Sequence, residues 1–236
     1  MRILDVFIDN LTREEIRTRV GMFLDEPRFH QIATINPEFL LEAEKNRDFR
    51  VVLEQCNLRV ADGFGITLAF LLKGERLRYR FPGADLTEEV LKLADKKQLG
   101  IYLAIRKDGL SSFEEIKRAL LEKYPTVKID GADIDPYQVS GIRYQVSSVV
   151  LCNFGAPMQE LFLAQLKADS SPSRIAMGVG GSFDYLTGKI KRAPVWLRVL
   201  GLEWFWRLIQ QPKRWKRIWN AVVVFPFRVI FATIGK

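Results

Sequence analysis

The fold class of this chain is decided by residues 147–184, which read SSVVLCNFGAPMQELFLAQLKADSSPSRIAMGVGGSFD. Two short apolar runs, SSVVLCN at 147–153 and SRIAMGV at 173–179, are typical of buried β-strands. A polar loop with a glycine follows each run, and residues 157–168 between them have helical character. This order predicts a parallel βαβ unit, because parallel strands need a long crossover connection.

The same alternation extends towards the N-terminus. Strands are predicted at residues 2–7, 29–34, 58–61, 99–104 and 126–130, and helices at residues 12–25, 37–56, 65–73, 84–97 and 112–123. A glutamate follows both Thr12 and Ser111 at a spacing of three, which is the capping-box pattern of a helix start. Together these signals predict an α/β fold in which helices cover both faces of a mainly parallel sheet.

Charge and tryptophan are concentrated at the C-terminal end. All five tryptophans lie between residues 196 and 219, and residues 186–236 contain eleven Lys or Arg against a single acid, Glu203. This segment therefore carries +10, and because the whole chain carries +8, residues 1–185 carry −2. Such an asymmetry predicts a near-neutral catalytic or binding domain with an appendage for an anionic surface or ligand.

The appendage has the pattern of a helix at a lipid headgroup layer. Trp196, Leu200, Trp204 and Leu208 recur every fourth residue, and Lys and Arg lie between them. The same face would be ordinary core if it docked on the rest of the chain, and a nucleic-acid groove would use the same residue types. We rank a membrane surface above nucleic acid because no RNA-binding signature accompanies the tryptophans. Homo-oligomer formation through an apolar tail face stays open.

Several function classes are disfavoured by composition. The most apolar run, 221–233, is shorter than the roughly 20 residues that span a bilayer, and the N-terminus predicts no signal peptide. Cys56 and Cys152 lack metal-ligand spacing, so we expect reduced core thiols. His30 is the only histidine, no P-loop occurs, and GVGGSFD at 178–184 lacks the third glycine of a dinucleotide fingerprint. Metal-independent chemistry is the default expectation, and a nicotinamide-dependent oxidoreductase is a weak rival.

Polar residues follow the predicted strands where the strands end. Thr34 and Asn36 follow one strand, Asp62 follows another, and glycine-rich loops follow the last two. Ligands of parallel sheets bind beyond the carboxyl ends of the strands, so these residues are candidates for chemistry. Asp62 fits either a helix N-cap or a general base, and Thr34 and Asn36 fit either a cap pair or sugar ligands.

Five strings give this chain a family resemblance. They are TINPEFL (34–40), ADGFGI (61–66), FPGADL (81–86), FGAPMQE (154–160) and GVGGSFDYLTGKIKRAPVWLRVLGLEWFWRLIQQPKRWKR (178–217). Read together they resemble the WecG/TagA/CpsF family of bacterial glycosyltransferases, glycosyltransferase family 26, over roughly residues 3–220. The resemblance implies a Rossmann-like α/β/α sandwich at residues 1–188, here called the body. Residues 189–236, here called the tail, are implied to form a helical, membrane-associating appendage that completes the active site.

The resemblance also implies a reaction. Family members transfer an N-acetylhexosamine, typically N-acetylmannosamine, from a UDP donor to a polyprenyl-diphosphate-linked saccharide, with inversion and without a bound metal or cofactor. They are peripheral proteins of the cytoplasmic face of the plasma membrane. A glucosyl or N-acetylmannosaminuronosyl transferase of the same family stays open, as does an inactive nucleotide-sugar-binding scaffold.

Matching the motifs residue by residue implies individual roles. Asp62 matches the proposed catalytic base, Thr34 and Asn36 match a polar substrate loop, and Gln159 matches the glutamine of the G-x-P-x-Q-E motif. The implied substrate-binding residues are Arg80, Gly83, Asp85, Gly155, Pro157, Glu160, Gly180, Gly181, Asp184, Arg192, Arg207, Arg214 and Arg217. Guanidinium groups match phosphate oxygens in pairs, which suits the arginines to a diphosphate. The chain departs from the family pattern at 104–110 and 131–138, two predicted loops that are candidates for donor or acceptor contacts.

Overall fold

The computed structural model describes residues 1–138, 147–168 and 172–234. Its centre is a six-stranded sheet in the order β4-β3-β8-β7-β5-β6, and all neighbouring strands of this sheet are parallel. The strands are β3 (His30–Ile35), β4 (Leu58–Ala61), β5 (Gly100–Arg106), β6 (Lys128–Ile134), β7 (Val149–Cys152) and β8 (Ile175–Gly178). A separate antiparallel hairpin is formed by β1 (Arg2–Ile3) and β2 (Val6–Phe7).

Helices cover both faces of the sheet. The body helices are α1 (Arg13–Asp25), α2 (Pro37–Lys45), α3 (Arg47–Gln55), α4 (Phe64–Leu72), α5 (Gly83–Lys96), α6 (Phe113–Lys123), α7 (Met158–Ala168) and α8 (Phe183–Leu186). Along β7, Val149 and Leu151 join the core beneath α1, α5 and α6, whereas Val150 and Cys152 join the core beneath α7. The α/β/α sandwich predicted from the alternation is therefore confirmed.

Four local predictions were wrong. The predicted strand 2–7 is split into the β1–β2 hairpin, because Leu4 and Asp5 have φ values of 45° and 63°. The predicted helix 37–56 is divided at Asn46, whose side chain accepts a hydrogen bond from the Phe49 N–H and caps α3. The cap of α6 is Ser112 rather than Ser111. Residues 131–134, predicted as part of a loop, belong to β6.

The tail consists of short helices that run across the carboxyl edge of the sheet. They are α9 (Val195–Val199), α10 (Glu203–Gln210), a 3-10 turn (Pro212–Arg214), α11 (Trp215–Trp219), a π-helical turn (Asn220–Val224) and α12 (Phe225–Ile234). Phe225 and Val229 are fully buried in the core cluster of α2 and α4. Ion pairs from Arg217 to Glu38 and from Arg228 to Glu44 add to this contact. The end of the tail is thus part of the body's hydrophobic core.

Large apolar side chains remain exposed on the outer surface of the tail. They are Val195, Trp196, Val199, Leu200, Phe205, Ile209, Trp215, Trp219, Val222, Phe227 and Phe231. In the described ranges, none of the helices has the length and apolar character needed to cross a bilayer. Cys56 and Cys152 are free and buried, as predicted, and burial raises the pKa of Cys56 to about 12.

Candidate active site

A cavity of about 510 Å³ lies at the carboxyl edge of the sheet, between the body and the tail. The loops that follow β3, β4, β7 and β8 form one wall, and α10 with residues 211–217 forms the other. This is the position expected for a ligand of a parallel sheet. Its polar lining includes Thr34, Asn36, Asp62, Arg80, Gly83, Arg106, Asn153, Gly155, Gln159, Gly180, Gly181, Asp184, Tyr185, Glu203, Arg207, Arg214 and Arg217.

Asp62 lies between β4 and α4 and is partly buried. Burial raises the pKa of Asp62 to about 6, and the negative charge of Glu203 adds to this rise. The positive charge of Arg80 and hydrogen bonds from the backbone N–H groups of Gly83 and Gly63 act in the opposite direction. A carboxylate with this pKa is ionised at neutral pH and is a stronger base than an exposed aspartate, as general-base catalysis requires.

The alternative interpretation of Asp62 as a helix cap is not supported by the backbone. The N-cap position of α4 belongs to Gly63, whose φ of 83° suits glycine, and the helix begins at Phe64. Asp62 therefore stands one residue outside the cap position and faces the cavity. Its role as the base stays a prediction.

Gly83 brings the first turn of α5 against Asp62 and Thr34. A Cβ added at Gly83 would lie 3.2 Å from Oδ2 of Asp62 and 3.4 Å from Oγ1 of Thr34. The two side chains thus share a small space in front of a helix N-terminus, where backbone N–H groups favour negative charge. A group placed against Gly83 would therefore be close to both side chains.

Asn36 both caps a helix and lines the cavity. Its side-chain oxygen accepts a hydrogen bond of 3.1 Å from the Phe39 N–H and caps α2, with Pro37 in the first turn. The capping interpretation is therefore confirmed for Asn36, and its side-chain oxygen is already engaged. The predicted contact of Asn36 with a sugar is compatible with this arrangement and stays a prediction.

Gln159 ties together the two glycine-rich loops of the cavity. Its side-chain oxygen accepts hydrogen bonds from the N–H groups of Gly155 at 3.0 Å and Gly180 at 3.2 Å. Its amide nitrogen donates to Oε1 of Glu160 at 2.7 Å, and this bond sets which way the amide points. A Cβ at Gly178 would clash with both side chains, so the strand end must be glycine for them to pack there.

Glu160 is a buried acid behind the cavity rather than in its lining. It is 1% exposed, and burial raises its pKa to about 8. Its Oε2 atom is buried without a hydrogen-bond partner. Glu160 is therefore predominantly neutral at pH 7, which avoids the cost of a buried charge.

Asp184 stands beside the glycine pair of the last loop. Oδ1 of Asp184 accepts a hydrogen bond from Ser111 Oγ at 3.2 Å, and Nη2 of Arg207 lies 4.0 Å from Oδ2. A Cβ at Gly181 would clash with the Arg207 guanidinium, so Gly181 makes room for that side chain. Burial raises the pKa of Asp184.

Three arginines of the tail line the cavity close to one another. Arg207 donates to the Tyr185 hydroxyl at 2.9 Å, Arg214 donates to Gln211, and Arg217 pairs with Glu38. Burial, together with the positive charges of Arg207 and Arg217, lowers the pKa of Arg214 to about 10. Repulsion between neighbouring guanidinium groups is relieved by an anion, which makes this group of arginines suited to a diphosphate.

Four predicted residues do not line the cavity: Asp85, Pro157, Glu160 and Arg192. Arg192 instead pairs with Asp85, with Nη2 and Oδ1 2.5 Å apart, and its guanidinium lies over the Tyr185 ring. This pair joins the tail to α5 beside the cavity. The other predicted residues are brought together in one cavity.

Sequence reasoning missed several lining residues, including Tyr185, Glu203, Trp204, Asn153 and Arg106. Arg106 belongs to the departure at 104–110, and its backbone N–H donates to Oδ1 of Asn153 at 2.7 Å. The departure at 131–138 contributes no residue to the cavity. A signal for Glu203 was present, since it is the single acid in a strongly basic tail.

Within the described ranges, no three His, Cys, Asp or Glu side chains form a group that could hold a metal ion. His30 is fully buried and stacks on Phe23, with ring centroids 3.9 Å apart, so it belongs to the core.

Comparison with known proteins identifies relatives over the whole chain. A family model described as "Glycosyl transferase WecG/TagA/CpsF family" matches residues 1–236. A protein of Bacillus subtilis (strain 168), named N-acetylglucosaminyldiphosphoundecaprenol N-acetyl-beta-D-mannosaminyltransferase, is 34% identical over 91% of this chain and 82% of its own length. A protein of the same name from Bacillus spizizenii is 32% identical over 90% of this chain and 83% of its own length.

These matches agree with the five sequence strings and with the α/β/α sandwich. The chain belongs to the WecG/TagA/CpsF family of glycosyltransferases.

Proposed function

We propose that this protein transfers N-acetylmannosamine from a UDP donor to an N-acetylglucosaminyl-diphospho-polyprenol. The relatives named above are N-acetylmannosaminyltransferases that act on such an undecaprenol-linked acceptor. The observation that carries the proposal is a single cavity that Asp62 and a group of arginines line together. A proton acceptor and anion-stabilising groups in one cavity are what glycosyl transfer from a nucleotide donor requires.

In the proposed reaction, Asp62 accepts the proton of an acceptor hydroxyl. The hydroxyl oxygen attacks the anomeric carbon from the side opposite the diphosphate, so the configuration inverts. The bond between the anomeric carbon and the diphosphate oxygen breaks, and its electron pair leaves with UDP. Thr34 and Asn36 orient the sugars, and the loops held by Gln159 receive the nucleotide.

The arginines of the tail stabilise the departing diphosphate. Arg207, Arg214 and Arg217 supply guanidinium groups at the place where negative charge develops. In a partly enclosed cavity such charges act more strongly than in water, so we propose that no metal or cofactor is needed.

The proposed place of action is the cytoplasmic face of the bacterial plasma membrane. The outer surface of the tail exposes tryptophans and aliphatic side chains between lysines and arginines, a composition suited to an anionic bilayer surface. Sedimentation with vesicles that contain anionic lipid tests this proposal, and neutral vesicles serve as the control. Equal binding to both kinds, or self-association in place of binding, would contradict it.

A donor panel tests the reaction. UDP-N-acetylmannosamine, UDP-N-acetylglucosamine, UDP-glucose and a UDP-N-acetylmannosaminuronate are each incubated with a short-chain polyprenyl-diphosphate N-acetylglucosamine, with and without EDTA. We expect a product heavier by one N-acetylhexosamine from the first donor, in equal amounts with EDTA. Binding of UDP without any product would indicate a non-catalytic protein, and a different product mass would indicate another sugar.

A further inference from the structure

Glu203 is an acid in a segment that is otherwise cationic, and it opens α10. An acid in the first turn of a helix is favoured by the helix dipole, which accounts for the residue type. It does not account for the direction of the side chain. Glu203 lines the same cavity as Asp62 and Arg80, and its side chain is 21% exposed.

The carboxylate of Glu203 is only weakly neutralised. Its ion-pair partner is Arg192, whose Nε lies 3.8 Å from the Glu203 carboxylate. Nη2 of the same arginine is already paired with Asp85 at 2.5 Å. A carboxylate that served only to bind Arg192 would be expected at hydrogen-bonding distance. Glu203 therefore keeps acceptor capacity on the side that faces the cavity.

The position of Glu203 relative to Asp62 is set by packing. Nη2 of Arg80 donates to the Arg198 carbonyl at 2.9 Å and so joins the tail to the body beside Asp62. A Cβ at Gly201 would meet the ring of Phe64 at 2.6 Å, so this turn of the tail lies directly on the start of α4. Phe64 is two residues beyond Asp62, which places Glu203 over the same corner of the cavity.

Helix α10 presents both an acid and a cation to the cavity. Glu203 and Arg207 are separated by four residues, and such residues lie on one face of a helix, about 6 Å apart along the axis. Arg207 faces Gly181 and Asp184, whereas Glu203 acts on Asp62. One face of α10 thus reaches both the nucleotide loop and the general base.

We propose that Glu203 is a substrate-contacting residue that accepts a hydrogen bond from a pyranose hydroxyl next to the hydroxyl that Asp62 deprotonates. This inference rests on the proposed glycosyl transfer and assigns Glu203 to the acceptor sugar. Carboxylates bind sugar hydroxyls through charge-assisted hydrogen bonds, which are stronger than neutral ones. The charge of Glu203 also makes Asp62 more basic, because two nearby carboxylates disfavour each other's ionised form.

The effect of Glu203 on the pKa of Asp62 can be measured separately from the effects of the other charged groups near Asp62. Arg80 and Glu203 act on it directly. Arg106, Asp184, Arg207, Arg214 and Arg217 line the same cavity. Since Glu203 is the acid among them that raises the pKa of Asp62, neutralising it should shift the acid limb of the rate profile to lower pH.

The test compares Glu203→Gln, Glu203→Asp and Glu44→Gln by steady-state kinetics from pH 4.5 to 8. Glu203→Gln is expected to raise the acceptor KM on the order of tenfold, leave the donor KM within about twofold and move the acid limb downward. Glu203→Asp keeps the charge with a shorter reach, so it should restore the acid limb while the acceptor KM stays raised. Glu44→Gln is the matched control, because Glu44 pairs with Arg228 of the tail away from the cavity.

An unchanged acceptor KM and an unchanged acid limb in Glu203→Gln would overturn the inference. Equal losses for donor and acceptor, with the same losses in Glu44→Gln, would indicate that Glu203 only helps the tail to dock. If the wild-type protein transferred no sugar from any UDP donor, the proposed function itself would fall, and the inference with it. Thermal unfolding of each variant shows that the comparison is made between folded proteins.

Discussion

The two walls of the cavity are built in different ways. The body wall consists of loops at the ends of buried strands, and its side chains are tied by buried hydrogen bonds such as those of Gln159. The tail wall consists of α10 and α11, neither of which has a buried residue. The body wall includes the proposed proton acceptor Asp62, and the tail wall includes three of the cavity's arginines. The proposed chemistry is thus divided between loops held by the body's core and a cover whose helices α10 and α11 bury no residue.

The largest expected effect is on the body wall, from Asp62→Asn. Loss of the base should lower kcat on the order of 10³-fold or more with little change in KM. Because the pKa of Asp62 is raised to about 6, the wild type loses stability as pH rises from about 4 through 6. The variant lacks this loss and should be more stable at pH 7 by about 1–3 kcal/mol, measured by urea unfolding. Wild-type turnover in a folded variant would remove Asp62 from the mechanism.

The contrast between the two walls does not extend to α12, because this helix of the tail packs in the hydrophobic core. Phe225→Ala should lower the free energy of unfolding of the whole protein by about 3–5 kcal/mol, because Phe225 is fully buried beside α4. Phe227→Ala is the control, since Phe227 is 58% exposed and should change stability by less than about 0.5 kcal/mol in buffer. Equal effects of the two changes would show that α12 does not contribute to the core.

The substitution Glu160→Gln tests whether the buried carboxyl group of Glu160 is protonated in the native state. The pKa of Glu160 is raised from 4.5 to about 8, so the native state binds more protons than the unfolded state between these values. The contribution of Glu160 to stability should therefore be greatest below pH 4.5, fall as pH rises through about 8, and level off above it. The glutamine variant should lack this fall and exceed the wild type by about 2–4 kcal/mol at pH 8. Parallel curves of stability against pH would contradict the assignment.

The smallest expected effect belongs to one arginine of the tail wall. Arg214→Gln should lower kcat/KM for the UDP donor by about 10- to 100-fold, since neighbouring guanidinium groups share the anion. Arg228→Gln removes a tail arginine that lies outside the cavity and should stay within about twofold of wild type. A similar loss in both variants would show that overall tail charge matters rather than position. The ratio of the kcat/KM values of these two variants measures how strongly donor turnover depends on an arginine at this position of the tail wall.

Much of the fold was predictable from short-range pattern. Buried parallel strands are apolar on both faces, so β7 appears as an uninterrupted apolar run and lies within the predicted range 147–153. The convergence of Thr34, Asp62 and Gln159 followed from the same rule, since all parallel strands end at one edge. The break at Asn46 was missed, because a polar stretch such as residues 44–48 (EKNRD) also fits the exposed face of one continuous helix.

Contacts between distant segments were beyond sequence reasoning. Arg192 was predicted to face a substrate, but its partner Asp85 lies far away in the chain and only the folded structure brings them together. The orientation of Glu203 has the same origin, since it depends on how Gly201 packs on Phe64. Composition showed that the tail was cationic and aromatic, and packing decided which of its groups face inward.

The burial of Phe225 and Val229 has a consequence for how the arginines find an anion. At its C-terminal end the tail packs against the body through α12. At its N-terminal end Ile190 is also buried. A segment fixed at both ends explores far less space than a free arm, so its groups remain at a high local concentration over the cavity. The conformational entropy of bringing three guanidinium groups together is therefore lost once, on folding. It is not lost again each time a nucleotide binds. Weakening the packing of α12 would therefore lower the local concentration of all three guanidinium groups over the cavity, although no arginine is substituted.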